Sequence, residues 1–250
     1  MNGYMGPRYW FRYLQVIFTI GSFIKGKKIL EIGAGTLGMS SFFARNNKVT
    51  AIDLSPELSQ NLNELSENIK DNIQCIEGDF LTLDFKEKRY DVIIAMEVLE
   101  HIRNDKSFLK RIKLLSKKNT LVVISVPAHM SLWSKHDIAV GHIRRYEKCD
   151  LIRIKKILGF SKYRIVSYGW PWINMLRYLR IISTPIVYKG KSDDFSQTEL
   201  TINSGRRIKK FNFLSIFSNQ FTIFPFWVFS LMFTRLNISD GYLIFLKNES

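Results

Sequence analysis

The residues best suited to chemistry in this chain gather between positions 97 and 147. All four histidines, His101, His129, His136 and His142, fall between residues 101 and 142, with Glu97 and Glu100 just ahead of them. Imidazole changes charge near neutrality and can take a proton from a hydroxyl or amine. His101, oriented by Glu97 or Glu100, is the first candidate base, with His136 and His142 as rivals. Glu97, Glu100 and His101 could also hold Mg²⁺ or Zn²⁺, although the reading adopted is metal-free. Arg144 and Arg145 offer planar donors for a phosphate or carboxylate. Histidines pinned by carboxylates can equally be structural staples of a loop.

A second grouping lies at residues 27–38, KKILEIGAGTLG. An apolar run that breaks into Gly33, Gly35 and Gly38 reads as strand, tight turn and helix, with main-chain N–H groups open to a ligand. Gly33 to Gly38 satisfies G-x-G-x-x-G, a weak dinucleotide signal alone. Glu31, two residues before the first glycine, would repel a pyrophosphate and attract a cationic group.

The elements that position these residues follow from periodicity. Helical spacing covers 8–24, and the crossover helices fall at 37–46, 104–116 and 150–158. Strands fall at 48–53, ending in Asp53, at 72–78, ahead of Asp79 and Phe80, and at 90–95, ahead of Met96 and Glu97. Further strands fall at 120–126, 162–168 and 241–248. Ser55-Pro56-Glu57 has the composition of a helix start. Asn104 or Asp105 caps the helix at 104–116. Alternating strands and helices describe one doubly wound, Rossmann-like α/β domain with a seven-stranded, mostly parallel sheet and an antiparallel last strand. Residues 171–240 form a helical insertion before that strand: helical over 171–187, turn-rich over 189–207, and uncharged and Phe-rich over 211–233. This last stretch is too polar for a confident membrane span. It reads as a lid, or as an aromatic patch with basic flanks that rests on a membrane.

The chain has 250 residues and a net charge of +15, divided as +4 over residues 1–125 and +11 over 126–250. A basic half suggests an anionic partner. Two cysteines, Cys75 and Cys149, have no metal-ligand spacing and fit a reducing, cytoplasmic setting. The first fifteen residues, with Arg8 and Arg12 among aromatics, make a poor signal peptide.

Glu31 with its three glycines, Asp53, Gly78-Asp79 and the run Glu97 to His101 together resemble class I S-adenosylmethionine-dependent methyltransferases of the small-molecule type. Their order and spacing over 25–170 carry the resemblance. It implies a cofactor site of Glu31, Gly33, Ala34, Gly35, Gly38, Asp53, Leu54, Asp79, Phe80 and Met96, covered by the helix in 1–24. In that resemblance Asp79 takes the adenine amine and Phe80 lies on its ring. E-x-x-E-H resembles the same segment of ubiquinone-biosynthesis O-methyltransferases, where a divalent metal is associated with it. His136-Asp137 to Tyr146 resembles methyltransferases of surface-polysaccharide and lipid-linked glycan pathways. That similarity implies a substrate wall of Trp133, Asp137, Arg144, Arg145 and Tyr146.

The expected activity is O- or N-methylation of an anionic small-molecule or lipid-linked acceptor, with peripheral membrane contact and no nucleic acid. Oligomeric state is not legible. An oxidoreductase would share the glycine corner but gives no reason for Gly78-Asp79 or E-x-x-E-H. A basic RNA methyltransferase would explain the charge. However, Ala95-Met96-Glu97-Val98 stands where adenine-N6 enzymes carry a Pro-Pro motif, and neither cysteine is placed as a cytosine-C5 nucleophile. A scaffold without catalysis would show no cofactor affinity.

Overall fold

The computed structural model describes residues 5–85, 89–178 and 219–249. Seven strands form one sheet: β1 (Lys28–Ile32), β2 (Lys48–Asp53), β3 (Ile73–Glu77), β4 (Tyr90–Met96), β5 (Ser116–Pro127), β6 (Lys162–Tyr168) and β7 (Gly241–Lys247). Their order is β3-β2-β1-β4-β5-β7-β6. Strands β1 to β5 pair in parallel, and β7 runs antiparallel between β5 and β6. This is the doubly wound α/β sheet expected from the strand pattern. The central strands are apolar on both faces because helices cover both.

On one face, α1 (Pro7–Ile20), α2 (Gly38–Phe43), α3 (Leu58–Asn63) and α8 (Gln220–Ser230) pack on Ile29, Val49, Ile94, Val123 and Leu243. On the other face, α5 (Asp105–Leu115) and α7 (Lys148–Leu158) bury Phe108, Ile112, Leu151 and Ile154 against Leu30, Ile93, Val122 and Ile244. Short helices α4 (Glu67–Lys70) and α6 (Lys135–Ala139) complete the connections. Pro7 starts α1 where its missing N–H costs nothing. Asn104 caps α5 through Ser107 N at 3.0 Å, as its position suggested.

Three local expectations shift. Strand β5 begins at Ser116 rather than Thr120. Polar Lys117, Lys118 and Asn119 extend it where the ladder with β4 changes register between Tyr90 and Val92. The first crossover helix is regular only over Gly38–Phe43. Helix α3 starts at Leu58, with Glu57 at its cap position and Ser55 Oγ accepting from Glu57 N at 3.3 Å. Of the insertion, a helix within 172–178 and α8 are described; the expected turn-rich stretch at 189–207 lies outside the described residues.

The chain leaves β1 toward β2 and β3, then returns to β4 beside β1. The carboxyl ends of β1 and β4 therefore diverge into a crevice, the place where open α/β sheets bind ligands.

Candidate active site

A cavity of about 850 Å³ opens at that crevice. Its floor is the turn after β1. Gly33 and Gly35 adopt φ of +74° and +47°, which only glycine takes without strain. A Cβ at Gly33 would lie 2.4 Å from Val98 Cγ2, while Gly35 faces open space. Asp53, at the end of β2, ties this turn down. It accepts from Gly35 N at 2.7 Å and Ser55 N at 2.8 Å, and keeps lone pairs for further donors. Asp79 caps its own turn through Leu81 N at 2.8 Å and lines the cavity. Ala34, Leu54 and Met96 also line it. Phe80 borders the cavity, but its ring is buried edge-on against Phe85 and Phe108.

Glu31 is buried, and its carboxylate accepts from Ser40 Oγ. Burial pushes its pKa up to about 8. The Ser40 hydrogen bonds oppose this, and Asp53 adds to it. The site therefore holds a carboxyl group that would ionise readily only beside a cation.

Helix α1 roofs the cavity with Arg8, Tyr9, Arg12 and Tyr13. Tyr9 reaches over Gly38, where any Cβ would meet its hydroxyl oxygen at 2.0 Å, and that buried hydroxyl has no hydrogen-bond partner among the described residues. Arg8 and Arg12 hold the helix in place. Their guanidinium nitrogens lie 3.0 and 3.5 Å from Glu97 Oε2, and Arg8 also pairs with Asp240 at 3.5 Å. Glu97 also accepts from Ser125 Oγ at 3.0 Å and Tyr168 Oη at 3.3 Å. Burial opposes its ionisation, yet Arg8 and Arg12 outweigh burial and hold its pKa down at about 2. Its backbone takes φ +55°, a strained conformation for a non-glycine residue at a functional edge.

Sequence reasoning noticed Arg8 and Arg12 only as poor signal-peptide residues. Their partner lies more than eighty positions away, and spacing carries no trace of such a pair. Glu97, expected to orient His101 or to ligate a metal, instead closes the roof.

The histidine cluster forms at the opposite wall. His101, His136 and His142 line the cavity, while His129 does not. His129 bonds Glu147 at 3.1 Å and Tyr242 at 3.2 Å, a staple at the end of β5. His101 Nδ1 lies 3.1 Å from Gly141 O, and His142 Nδ1 lies 3.0 Å from Asp137 Oδ1. The two rings meet edge to face, 4.9 Å apart. Burial pushes the His101 pKa down to about 4, helped by His142. Glu100 is fully buried, and among the described residues neither carboxylate oxygen has a hydrogen-bond partner. Burial, then Glu97, push its pKa well above the carboxylate range.

Fit to a divalent metal can be judged from these donors. Glu97 does not fit, because both arginines occupy it. Glu100, His101 and His142 do: each offers a ligand atom, all within 4.8 Å of one another.

The expected substrate wall is largely spent on structure. Arg145 is buried and saturated: Nε and Nη2 donate to Asp137 at 2.9 and 3.2 Å, and Nη1 donates to Asp240 and Ala128 O at 3.0 Å each. Asp137 is fully buried between Arg145, His142 and Ser134. Tyr146 is buried and donates to Leu99 O at 3.1 Å. Arg144 turns toward α5, donating to Asp105 at 3.2 Å and Arg103 O at 2.8 Å. None of these four, nor Trp133, lines the cavity. A buried guanidinium must satisfy its own donors first, so the motif builds the wall without facing a ligand.

With fold and site in view, similarity to known proteins adds a family. A family model described as a methyltransferase domain matches residues 1–163. A ubiquinone biosynthesis O-methyltransferase of Coxiella burnetii is 33% identical over 97 residues, covering 38% of this chain and 41% of that protein. The chain thus matches less than half the length of this curated relative. Among solved structures, N-methyltransferase NodS of Bradyrhizobium japonicum, in complex with S-adenosylhomocysteine, aligns over 98% of this chain and 89% of its own. The TM-score is 0.56 at 13% identity. Phosphoethanolamine N-methyltransferase 2 of Haemonchus contortus, in complex with S-adenosylmethionine, aligns over 100% of this chain and 55% of its own. Its TM-score is 0.59 at 16% identity. At such identities the structural likeness concerns the fold.

Proposed function

The chain belongs to the methyltransferase domain family, and we propose from that premise that it transfers a methyl group from S-adenosylmethionine to the oxygen or nitrogen of an anionic, small-molecule or lipid-linked acceptor. When bound, the cofactor supplies an electrophilic methyl on a cationic sulfur. The observation that carries this reading is the acid lining of the glycine corner: Glu31 buried beside it, with Asp53 and Asp79 at the neighbouring strand ends. Three carboxyl groups disfavour a pyrophosphate and suit an amine, ribose hydroxyls and an adenine amine. Glu31 would hold the amine, Asp53 the ribose and Asp79 the base, under the roof of Tyr9 and Tyr13.

Displacement at a methyl group depends on alignment, so the roof and the histidine wall act mainly by positioning the acceptor and excluding water. For a hydroxyl acceptor, the imidazoles at that wall are the groups suited to receive its proton.

A lipid-linked acceptor is supported by the face around α1 and α8. Phe18, Phe23, Phe221, Phe229 and Met232 are exposed there, and Phe18 stacks on Phe224 and Trp227 across the two helices. Residues 5–25, 171–178 and 219–239 contain no Asp or Glu and include exposed Lys25 and Arg235. Apolar surface with only basic charge suits an anionic lipid surface. No helix among the described residues is long and apolar enough to cross a membrane.

The test is incubation with deuteromethyl-labelled cofactor and host-cell extract, followed by mass spectrometry of the lipid and aqueous phases. The proposal expects the label on an anionic lipid-phase species. Label confined to aqueous products would overturn the lipid-linked acceptor, and label nowhere, with intact folded protein, would overturn the transfer.

A further inference from the structure

We propose that Arg8 and Asp240 are positioning residues that join the α1 roof to the histidine wall, so that seating α1 over the cavity fixes the His142 imidazole across from it. The link rests on the methyltransferase reading only for the identity of the ligand beneath the roof.

Asp240 stands at the entry to β7, where segments distant in sequence converge. Its carboxylate is fully buried and divided between two guanidinium groups. Oδ2 lies 3.5 Å from Arg8 Nη1 in the roof, and Oδ1 accepts from Arg145 Nη1 at 3.0 Å in the wall. Its main chain is held as well. Asp240 O accepts from Ala128 N at 2.9 Å and from Arg8 Nη2 at 3.4 Å, and Asp240 N donates to Asn174 Oδ1 at 3.1 Å. The carboxylate therefore has little freedom to follow one guanidinium without leaving the other.

From Asp240 the row of charges continues to the wall. Arg145 Nε and Nη2 donate to the two oxygens of Asp137 at 2.9 and 3.2 Å, and His142 Nδ1 lies 3.0 Å from Asp137 Oδ1. On the roof side, Arg8 also pairs with Glu97 at 3.0 Å. Glu97, Arg8, Asp240, Arg145 and Asp137 thus alternate in charge, and His142 ends the row. Asp240, Arg145 and Asp137 are buried, so water does not replace a lost partner there. Withdrawing one member leaves its neighbour uncompensated, and that neighbour draws on the next. An imidazole that lines the cavity is in this way held from behind by a side chain of the roof. Arg12, one turn further along α1, pairs with Glu97 at 3.5 Å, and its loss loosens the roof without cutting the row at Asp240.

Hydrogen exchange of the whole chain, read by mass spectrometry, tests the link. Arg8→Gln and Arg12→Gln each take an arginine from Glu97, and both should speed exchange in Pro7–Ile20. Only Arg8→Gln should also speed exchange over residues 134–147, by about tenfold or more. At saturating S-adenosylhomocysteine, exchange over 134–147 should slow in the parent and not in Arg8→Gln. Unchanged exchange over 134–147 in folded Arg8→Gln, or an equal rise in both variants, would overturn the coupling. So would bound S-adenosylhomocysteine that protects Pro7–Ile20 alone in the parent. Arg8→Lys keeps the charge but lacks the fork that reaches both Glu97 and Asp240, and it reads the same link if Arg8→Gln does not fold. Calorimetry on the same samples reports cofactor binding separately. Its failure would overturn the cofactor reading, while the ligand-free variants still decide whether roof and wall are joined.

Discussion

Replacing Glu31 with Gln should strengthen the empty protein and weaken its hold on the cofactor, with both effects set by pH. In the folded chain the Glu31 carboxyl is pushed up to about 8 by burial, against about 4.3 in an unfolded chain. The folded state therefore keeps a proton that the unfolded state gives up between those values. The stability this contributes is complete below about pH 4.3 and drains away as pH rises toward 8, at about 1.4 kcal/mol per pH unit at most. Glu31→Gln lacks the ionisation and still accepts from Ser40. At pH 8 it should melt roughly 10–20 °C higher than the parent, with the difference vanishing near pH 4.5.

Binding runs the other way. Below pH 8, pairing the cofactor's ammonium with Glu31 requires the carboxyl to release its proton, so affinity for S-adenosylhomocysteine should rise by up to tenfold per unit from pH 6 to about 7.5. It should peak near 8 and fall as the ligand's own amine, with a pKa of about 8, loses its charge. Calorimetry at pH 6.5 in phosphate and in Tris should give enthalpies that differ by the difference in buffer ionisation, the signature of one released proton. In Glu31→Gln the slope from pH 6 to 7.5 should disappear, and affinity at pH 7.5 should drop about 10–100-fold, the worth of a charged hydrogen bond. A parent protein with no pH slope and no buffer dependence would refute the reasoning.

Other consequences follow from the same contacts. Gly33→Ala places a methyl 2.4 Å from Val98 Cγ2 at φ +74°, so it should cost about 1–3 kcal/mol in chemical denaturation and reduce cofactor binding further than stability alone explains. Glu97→Ala strips the carboxylate from two buried arginines and should destabilise the fold by roughly 3–5 kcal/mol. Hydrogen exchange should show its protection loss concentrated in Pro7–Ile20. Arg145→Ala, which leaves Asp137 and Asp240 uncompensated, should cost a similar amount by urea denaturation. The paired substitutions Phe221→Ser and Met232→Ser, both at exposed positions, should leave the melting temperature within a few degrees and abolish flotation with phosphatidylglycerol vesicles. Unchanged flotation would remove the α1–α8 face as the lipid contact.

The sheet was legible because its signals are local. Apolar runs such as VTAI and LVVISV end at Asp53 and Pro127, and GYLIFLK supplies the antiparallel strand that β5 and β6 share. The glycine corner was legible for the same reason: a tight turn leaves its residues in sequence. What escaped was the destination of charged side chains. Arg144 and Arg145 read as anion donors because guanidinium is a good one, but Asp137 is eight positions away and Asp240 ninety-five, and together they consume Arg145. Glu97 and Glu100 look equivalent in E-x-x-E-H. Only the return of α1 over the cavity separates a carboxylate clamped by arginines from one left unpaired beside two imidazoles.

The central claim is that the crevice between β1 and β4 takes a cofactor with an amine and no phosphate. Isothermal titration of the purified chain at pH 7.5 and fixed salt, first with S-adenosylhomocysteine and then with NAD, tests it most directly. Micromolar binding of the first, weakened about 10–100-fold in Glu31→Gln, with no heat from the second, is the predicted result. Binding of NAD without S-adenosylhomocysteine would contradict the account.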